Sequence, residues 1–514
     1  MFKRLVKNTT LLSSGTFLSR ILGLIRDIVI AKYFGTSAAL EAFIAAFKIP
    51  NLLRSLLGEG FSDSVATPVF SEYRKDQKKI KDLGSKTFSL FVILLLIFTF
   101  LGIILAPFLI TITALGFLKD PYKFNLAVKF SRGVFFYLFF IGLVALFNSF
   151  FYVRKKFFLP AFLPLLFNLF LIFGILFFKK YLNGYILVLS VLVSAFLQFV
   201  ISFFFLRFKE KIILKIVSFK EIFKDRDISR MIKLFFPRIW SSIVYQLSVF
   251  VDTNFSSLSW IVGEGALAAI YYANRIIQFP LALIAVSLSR VAIVDFSYLY
   301  KEKRYDEFKQ LFLFSFKSIL FFILPFSMIL IFVGNNILEV LFKRGAFGDY
   351  SLNLTSWVLF FYSFGLFFFC GIKLLVNSFY ALKDTITPAR SATFALIINV
   401  VLSAFLIFPL KIGGVALAST LAAAFNFFYL LYKLNQQIGK LLYWNELKGY
   451  LLKLIFLSII SALFFKSIFI FGEYNKYIKL LLAILAGTNS FLIGGSLLKI
   501  EQIIFLKKWI CRRR

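Results

Sequence analysis

Leaving aside Lys32 at the end of the first stretch, the first sixty residues place seven charged side chains in two stretches long and apolar enough to cross a lipid bilayer. Residues 9–34 read as a helix carrying Arg20, Arg26 and Asp27, and residues 38–59 as a second one carrying Glu41, Lys48, Arg54 and Glu59. An ionisable group at the bilayer centre costs about 2.5–3.5 kcal/mol on insertion scales, so such groups persist where they face one another or a water-filled cavity. Four of the seven are cations. The expected cavity prefers an anion, which is the chemistry of a transport site rather than of a packing core.

Helical spacing sorts these residues into faces. Thr16, Arg20, Gly23 and Asp27 share one face, Arg26 lies about 120° round from it, and Glu41 and Lys48 coincide on the second helix. Pro50 disturbs that helix and frees backbone groups near Asn51 and Arg54, which is tolerable where water or protein satisfies them. Further on, YYANRIIQFP (271–280) sets Arg275 between Asn274 and Gln278, just before Pro280. Arginine forks match phosphate oxygens bidentately and keep their charge when partly desolvated, so a diphosphate-linked amphiphile suits the set. The candidate substrate-binding residues are Arg20, Arg26, Glu41, Lys48, Asn51, Arg54 and Arg275. A plainer reading has some of these charges neutralising each other, Arg26 with Glu41 for example, which still leaves a cationic excess. Asp252, in VFVDTNF, is an isolated intramembrane acid, either a ligand for a coupling ion or the partner of a nearby group. Arg238 and Arg290 are further cavity candidates, while Lys129, Arg132, Lys317 and Arg390 sit near helix ends and can snorkel.

The elements that must hold these residues follow from hydropathy. The chain has 514 residues, 60% hydrophobic, with mean hydropathy +0.88, far more apolar surface than a soluble fold of this length buries. About fourteen apolar stretches near 20 residues long appear, centred near residues 22, 48, 98, 138, 168, 194, 243, 277, 322, 363, 398, 424, 459 and 488. The expected fold is therefore an all-α integral membrane protein. Alternate loops differ sharply in charge, with about 35 Lys and Arg on one side and about 11 on the other, which puts both termini in the cytoplasm and requires an even number of spans. The net charge of +35 is thereby read as topology and attraction to anionic lipid, with no role for nucleic acid. The apolar stretch after Lys3, Arg4 and Lys7 is interrupted by Arg20 and lacks a small-x-small cleavage pattern, so it reads as an uncleaved first helix. The 74 phenylalanines read as Phe standing in for Leu rather than as aromatic cages.

A repeat runs through the chain at an offset near 228. NSFFYVRKKFFLP (148–160) returns as NSFYALKDTITP (377–388), Gly184 pairs with Gly413, Ala195-Phe196 with Ala424-Phe425, and Lys48 falls opposite Arg275. Two six-helix halves follow, residues 1–208 and 228–437, with an additional helix pair at 448–499 outside the repeat. Six spans per half preserve orientation, which makes the halves parallel repeats about an axis along the membrane normal, an arrangement suited to alternating access.

What the chain lacks also limits the chemistry. It has no histidine and two cysteines, Cys370 and Cys511, so His-based catalysis, a disulfide framework and a metal site are not expected. An enzyme acting on lipid-linked sugars would place acidic metal-binding pairs or a His base at the membrane face; neither pattern is in the sequence, and the chain is not expected to be an enzyme.

SRILGLIRD (19–27), EAFIAAFKIPNLLRSLLGEG (41–60), YYANRIIQFP (271–280) and FYALKDTITP (379–388) together resemble the signature segments of the lipid II flippases of the MurJ/MviN type, within the multidrug/oligosaccharidyl-lipid/polysaccharide exporter superfamily. The resemblance implies translocation of lipid-linked peptidoglycan precursor from the inner to the outer leaflet of the bacterial cytoplasmic membrane. It places the family's cavity arginines at Arg20, Arg26, Arg54 and Arg275 and its cavity acid at Glu41, where the family usually has Asp. It makes residues 448–499 a groove for the lipid tail. Asn274 stands where an acid often precedes the arginine, and VAIVDFSYL (291–299) replaces a Leu-Pro-containing motif. The implied partners are the lipid-linked oligosaccharide diphosphate, membrane lipids and other proteins of cell-wall synthesis. No cofactor is expected beyond a coupling ion or the membrane potential. A flippase for another diphosphate-linked lipid oligosaccharide, such as an O-antigen or capsule unit, and a non-transporting cell-wall scaffold are the alternative readings; an arginine-rich rather than acidic and aromatic site separates all of these from a drug or cation antiporter.

Overall fold

The computed structural model describes residues 2–442, 444–471 and 474–504, with the side chains of 2–13, 16, 58, 59, 63, 64, 236–246, 286, 290, 291, 444–446 and 471 excepted. The described residues are almost wholly helical. The long helices are α1 (Phe2–Phe34), α2 (Ala38–Ser55), α3 (Gln77–Ile104), α4 (Pro121–Val153), α5 (Pro164–Leu182), α6 (Tyr185–Phe204), α7 (Arg226–Ser256), α8 (Ala266–Lys301), α9 (Tyr305–Phe342), α10 (Asp349–Ala381), α11 (Ile386–Leu410), α12 (Ile412–Ile438), α13 (Trp444–Phe471) and α14 (Lys476–Leu497).

Eleven of the expected spans are, among the described residues, helices long and apolar enough to cross a membrane. The three that fall outside this set are α1, α2 and α7; α1 and α2 carry Arg20, Arg26, Asp27, Glu41, Lys48 and Arg54.

Start signals are clear in places. Asp120 caps α4 by accepting from the Lys123 amide at 3.0 Å, with Pro121 at the first helical position. α2 runs without a break through Pro50 into π-helical turns at Leu56–Ala66 and a last α-helical turn at Thr67–Glu72. The wider turns sit just after the proline, where the regular ladder is already interrupted.

The repeat is carried by the backbone itself. The starts of α3 and α9, the starts of α4 and α10, the ends of α4 and α10, and the ends of α5 and α11 are each 228 residues apart. Left-handed backbone recurs with the same offset, at Lys155 and Lys383 and at Asn183 and Lys411. The neighbours match as well: α2 on α4, α3 on α4, α4 on α6 and α5 on α6 return as α8 on α10, α9 on α10, α10 on α12 and α11 on α12.

The chain packs as two compact units, Met1–Ser259 and Trp260–Arg514. α7 begins the second repeat by sequence, yet it packs within the first unit. Its first turns are tied to the α2–α3 corner by Lys86–Asp225 at 2.8 Å, Lys79–Asp227 at 3.2 Å, Tyr73 Oη to Asp227 at 3.0 Å and Arg230–Glu72 at 2.8 Å. Its far end meets the loop before α4, where the Gly116 amide donates to Ser257 Oγ at 2.9 Å. A Cβ on Gly116 would overlap the Ser257 carbonyl, so the close approach requires glycine.

The core of the first unit is rich in phenylalanine: Phe70 stacks on Phe150 at 4.7 Å and Phe61 meets Phe91 at 4.8 Å. In the second unit α13 and α14 dock on α9 through Val333, Phe465 and Ala483. α11 and α14 leave most of their apolar length uncovered, as lipid-facing helices do.

Candidate functional site

α1 brings Arg26 and Asp27 into a buried pair. Arg26 Nε and Nη2 both donate to Asp27 Oδ1, at 3.0 and 2.7 Å, and Arg26 Nη1 donates to Asn168 Oδ1 at 2.9 Å. Successive residues on a helix do not face each other, so the pair forms because the long arginine arm folds back round α1. Asn168, on α5, spends its Nδ2 donor on the Ser19 carbonyl at 3.2 Å and so ties α5 to α1. The Arg26 guanidinium also lies over the Phe167 ring, 5.6 Å from its centroid. Phe167 in turn contacts Phe47 of α2 at 6.1 Å and Tyr137 of α4 at 6.3 Å, and Phe47 meets Tyr137 at 5.4 Å. Three helices thus converge on an aromatic wall beside Arg26.

Glu41, in the first turn of α2, is buried and paired with Lys123 in the first turn of α4. The Nζ–Oε2 distance is 2.9 Å, and the two side chains are 1% and 3% exposed. Asp120 Oδ2 stands 3.9 Å from the same ammonium, and the Phe117 ring centroid 5.4 Å from it. Glu41 is thus paired with a lysine 82 residues away in the sequence.

Arg54, half-buried, donates its Nε to Asn51 Oδ1 at 3.0 Å, one turn back along α2. Among the described residues no carboxylate lies within ion-pair distance of Arg54. Lys48 is half-buried on the same helix and Arg20 is exposed on α1. Arg20 and Asp27 share a helical face but not an environment, because the packing against α1 tightens toward its C-terminal end.

In the second unit Arg275 is half-buried on α8. Its Nη2 donates to Tyr271 Oη at 3.2 Å, and its Cζ lies 4.7 Å from the Tyr271 ring centroid. α8 packs on α10, which carries another half-buried cation, Lys373. Asp252 is half-buried near the C-terminal end of α7, within the first unit. The side chains of Glu59, Arg238 and Arg290 lie outside the described residues. Among the described residues no cluster of His, Cys, Asp and Glu could hold a metal ion.

Within the first unit, then, Arg26, Glu41, Lys48, Asn51 and Arg54 are carried by α1 and α2, with Asn168 of α5 against Arg26 and Lys123 of α4 against Glu41. Sequence reasoning missed Lys123, Asn168 and Lys373. The signal for Lys123 was present: Asp120-Pro121 is a helix start, which puts Lys123 in a first turn rather than in a loop. No such signal marks Asn168, whose role depends on which helix packs against α1.

The sequence matches the family described as lipid II flippase MurJ over residues 30–485. It is 35% identical over 437 residues to the probable lipid II flippase MurJ of Buchnera aphidicola subsp. Acyrthosiphon pisum, with 84% of each chain covered. The structure is similar to a solved lipid II flippase MurJ in an inward closed conformation, with a TM-score of 0.81 and 28% identity over 96% of this chain and 100% of that one. An inward-facing multidrug transporter of the MATE family, 15% identical, shares the fold with a TM-score of 0.65 over 81% of this chain and 95% of its own.

Proposed function

The chain belongs to the MurJ family of lipid II flippases, multi-pass membrane transporters, and from that premise we propose how its own residues move the substrate. Lipid-linked peptidoglycan precursor passes from the inner to the outer leaflet of the cytoplasmic membrane by alternating access through a cationic cavity. Arg54, with Arg20 of the same unit, engages the diphosphate, and Arg275 is the candidate cation of the second repeat. The observation that carries this reading is the environment of Arg54. It is a half-buried guanidinium whose hydrogen-bond partner is a neutral amide, with no carboxylate in reach among the described residues. A cation so placed attracts an anionic ligand strongly, because the ligand meets no competing carboxylate and little screening solvent.

The remaining assignments have supporting roles. Arg26, matched by Asp27, shapes the wall of the cavity, and Lys48 and Asn51 complete its lining. Asp252 is the candidate ligand for a coupling ion. The bias of Lys and Arg toward one set of loops supports both termini being cytoplasmic. Residues 1–208 and 228–437 act as the two repeats, with 448–499 as a groove for the lipid tail, and other proteins of cell-wall synthesis are the expected partners.

The test replaces the native flippase by Arg54→Ala in cells under conditional depletion and measures how much lipid-linked precursor reaches the outer leaflet. Precursor should accumulate on the inner leaflet while the variant inserts normally. Full viability and unchanged flipping with Arg54→Ala would remove the proposed grip on the diphosphate.

A further inference from the structure

The stretch between α6 and α7 carries charge and apolar surface that transport of the substrate does not use. Residues 207–226, all of them described, hold seven Lys and Arg, and all seven are exposed. Of the three acids in the same stretch, Glu210 and Asp225 turn inward to Arg154 and Lys86, each with 7% of its side chain exposed, and Glu221 faces out. The outer surface of this stretch therefore presents seven cations against one carboxylate.

Apolar side chains are interleaved with these bases and left uncovered. Ile216 is 82% exposed, Phe219 62% and Phe223 51%. Phe219 and Phe223 stand one turn apart on the short helix Phe219–Lys224 with their ring centroids 4.6 Å apart, so the two rings make one apolar face. Ile222, on the same helix, is fully buried in the core of the unit and holds the helix in place.

Hydrogen bonds to α3 set the height of this surface relative to the bilayer. From residue 212 to 218 the chain leaves the helix and runs along α3, where the amides of Lys215 and Val217 donate to Ser85 Oγ at 3.1 Å and Ser89 Oγ at 2.8 Å. Asp225, just past the short helix, meets Lys86 of the same turns at 2.8 Å. Lys86 is the last charge on α3, and no other follows in the sequence before Lys119. Higher on α3, Leu96, Ile97 and Phe100 are exposed, as lipid-facing side chains are. Ser85 and Ser89 thus bracket the point where α3 passes from water into hydrocarbon, and residues 215–225 stand at that level. An isoleucine and two phenylalanines placed there reach the boundary between head groups and acyl chains, while long lysine arms reach the phosphates.

We propose that residues 207–226 form a docking surface for anionic phospholipid. Ile216, Phe219 and Phe223 insert among the head groups, and Lys211, Lys215, Lys220 and Lys224 pair with lipid phosphates. The charge imbalance selects the lipid class: zwitterionic head groups cover the apolar side chains but bring no net counter-charge to the lysines, and anionic lipid brings both. The surface is separate from the grip on the transported diphosphate, which is assigned to Arg54.

The experiment uses the full chain in nanodiscs. Cys511→Ser leaves the buried Cys370 as the remaining native cysteine, and a spin label is placed at Ile216→Cys or, separately, at Phe223→Cys. Collisions with oxygen, which favours lipid, and with a neutral nickel chelate, which favours water, report the depth of the label. Adding phosphatidylglycerol to phosphatidylcholine discs should raise the oxygen-to-nickel ratio at least about threefold, and raising the salt should reverse the rise. Changing Lys211, Lys215, Lys220 and Lys224 together to Gln should abolish that response. Labels in water in both kinds of disc would leave the surface to solvent or to a partner other than lipid, and overturn the proposal. Labels equally deep in both would show apolar insertion without selection for anionic lipid, and overturn it too, as would an undiminished response in the quadruple variant. Should that variant fail to insert, the salt response of the parent decides alone. None of these outcomes bears on Arg54, whose role stands or falls with the flipping assay.

Discussion

Replacing Asp27 by Asn tests whether the buried pair on α1 works as an ion pair. Asp27 Oδ1 accepts from both Nε and Nη2 of Arg26, and the two side chains are 3% and 9% exposed. With unit charges about 4 Å apart and an effective dielectric constant near 20, the Coulomb attraction is about 4 kcal/mol. Breaking a buried pair by removing one partner costs roughly 3–5 kcal/mol, because the survivor stays desolvated. Asparagine retains the acceptor and nearly the shape, and Asn168 still accepts from Nη1, so Asp27→Asn should fall at the lower end, about 3 kcal/mol. Arg26→Gln should cost a similar amount, because Asp27 loses both charge-assisted hydrogen bonds from the guanidinium. The double variant should cost clearly less than the sum of the two, with a coupling of roughly 1.5 kcal/mol or more. Reversible unfolding of the purified protein in detergent, run as a double-mutant cycle, measures that coupling. If the single effects add to within about 0.5 kcal/mol, the two side chains do not compensate each other and the reasoning fails.

Two further predictions follow from other parts of the molecule. Burial pushes the Asp225 carboxyl up, but the Lys86 ammonium and the Asp227 amide more than offset it and hold the group below its ordinary value. Its folded value lies below its unfolded one, so the contact contributes stability at neutral pH and loses it as the pH falls below the ordinary carboxylate value of about 3.9. Hydrogen exchange at the start of α7 should therefore quicken under acid in the parent, and Asp225→Asn should show faster exchange already at neutral pH with a flatter acid response. Arg275→Lys keeps the charge but forfeits the planar fork and much of the stacking on Tyr271, and it should cut flipping by about tenfold with normal insertion. Parent-like flipping in that variant would show that a point charge is enough at this position.

Much of the architecture was legible before any coordinates. Long apolar stretches, the alternation of basic loops and the 228-residue offset follow from the period and length that a bilayer imposes, and the matched helix ends of α4 and α10 repeat that offset to the residue. The burial of Arg26 and Glu41 was legible too, since charges in apolar helices must turn inward. Their partners were not. Spacing along a helix argued against Arg26 pairing with Asp27, and nothing in the sequence linked Glu41 to a lysine on a helix 82 residues away. The placement of α7 likewise departed from the repeat: its first turns carry Asp225, Asp227 and Arg230, which find partners on the α2–α3 corner and bind the helix into the first unit.

Sequence alone determined that this is an α-helical membrane protein built by duplication, with cations in helices where lipid forbids them, and with no histidine for proton chemistry. Those properties are local or periodic, and a bilayer reads them directly from composition and spacing. Which carboxylate cancels which cation was decided only by tertiary packing, because ion pairing depends on a few ångströms between helices distant in the chain. That choice leaves Arg54, among the described residues, with an amide rather than an acid as its hydrogen-bond partner.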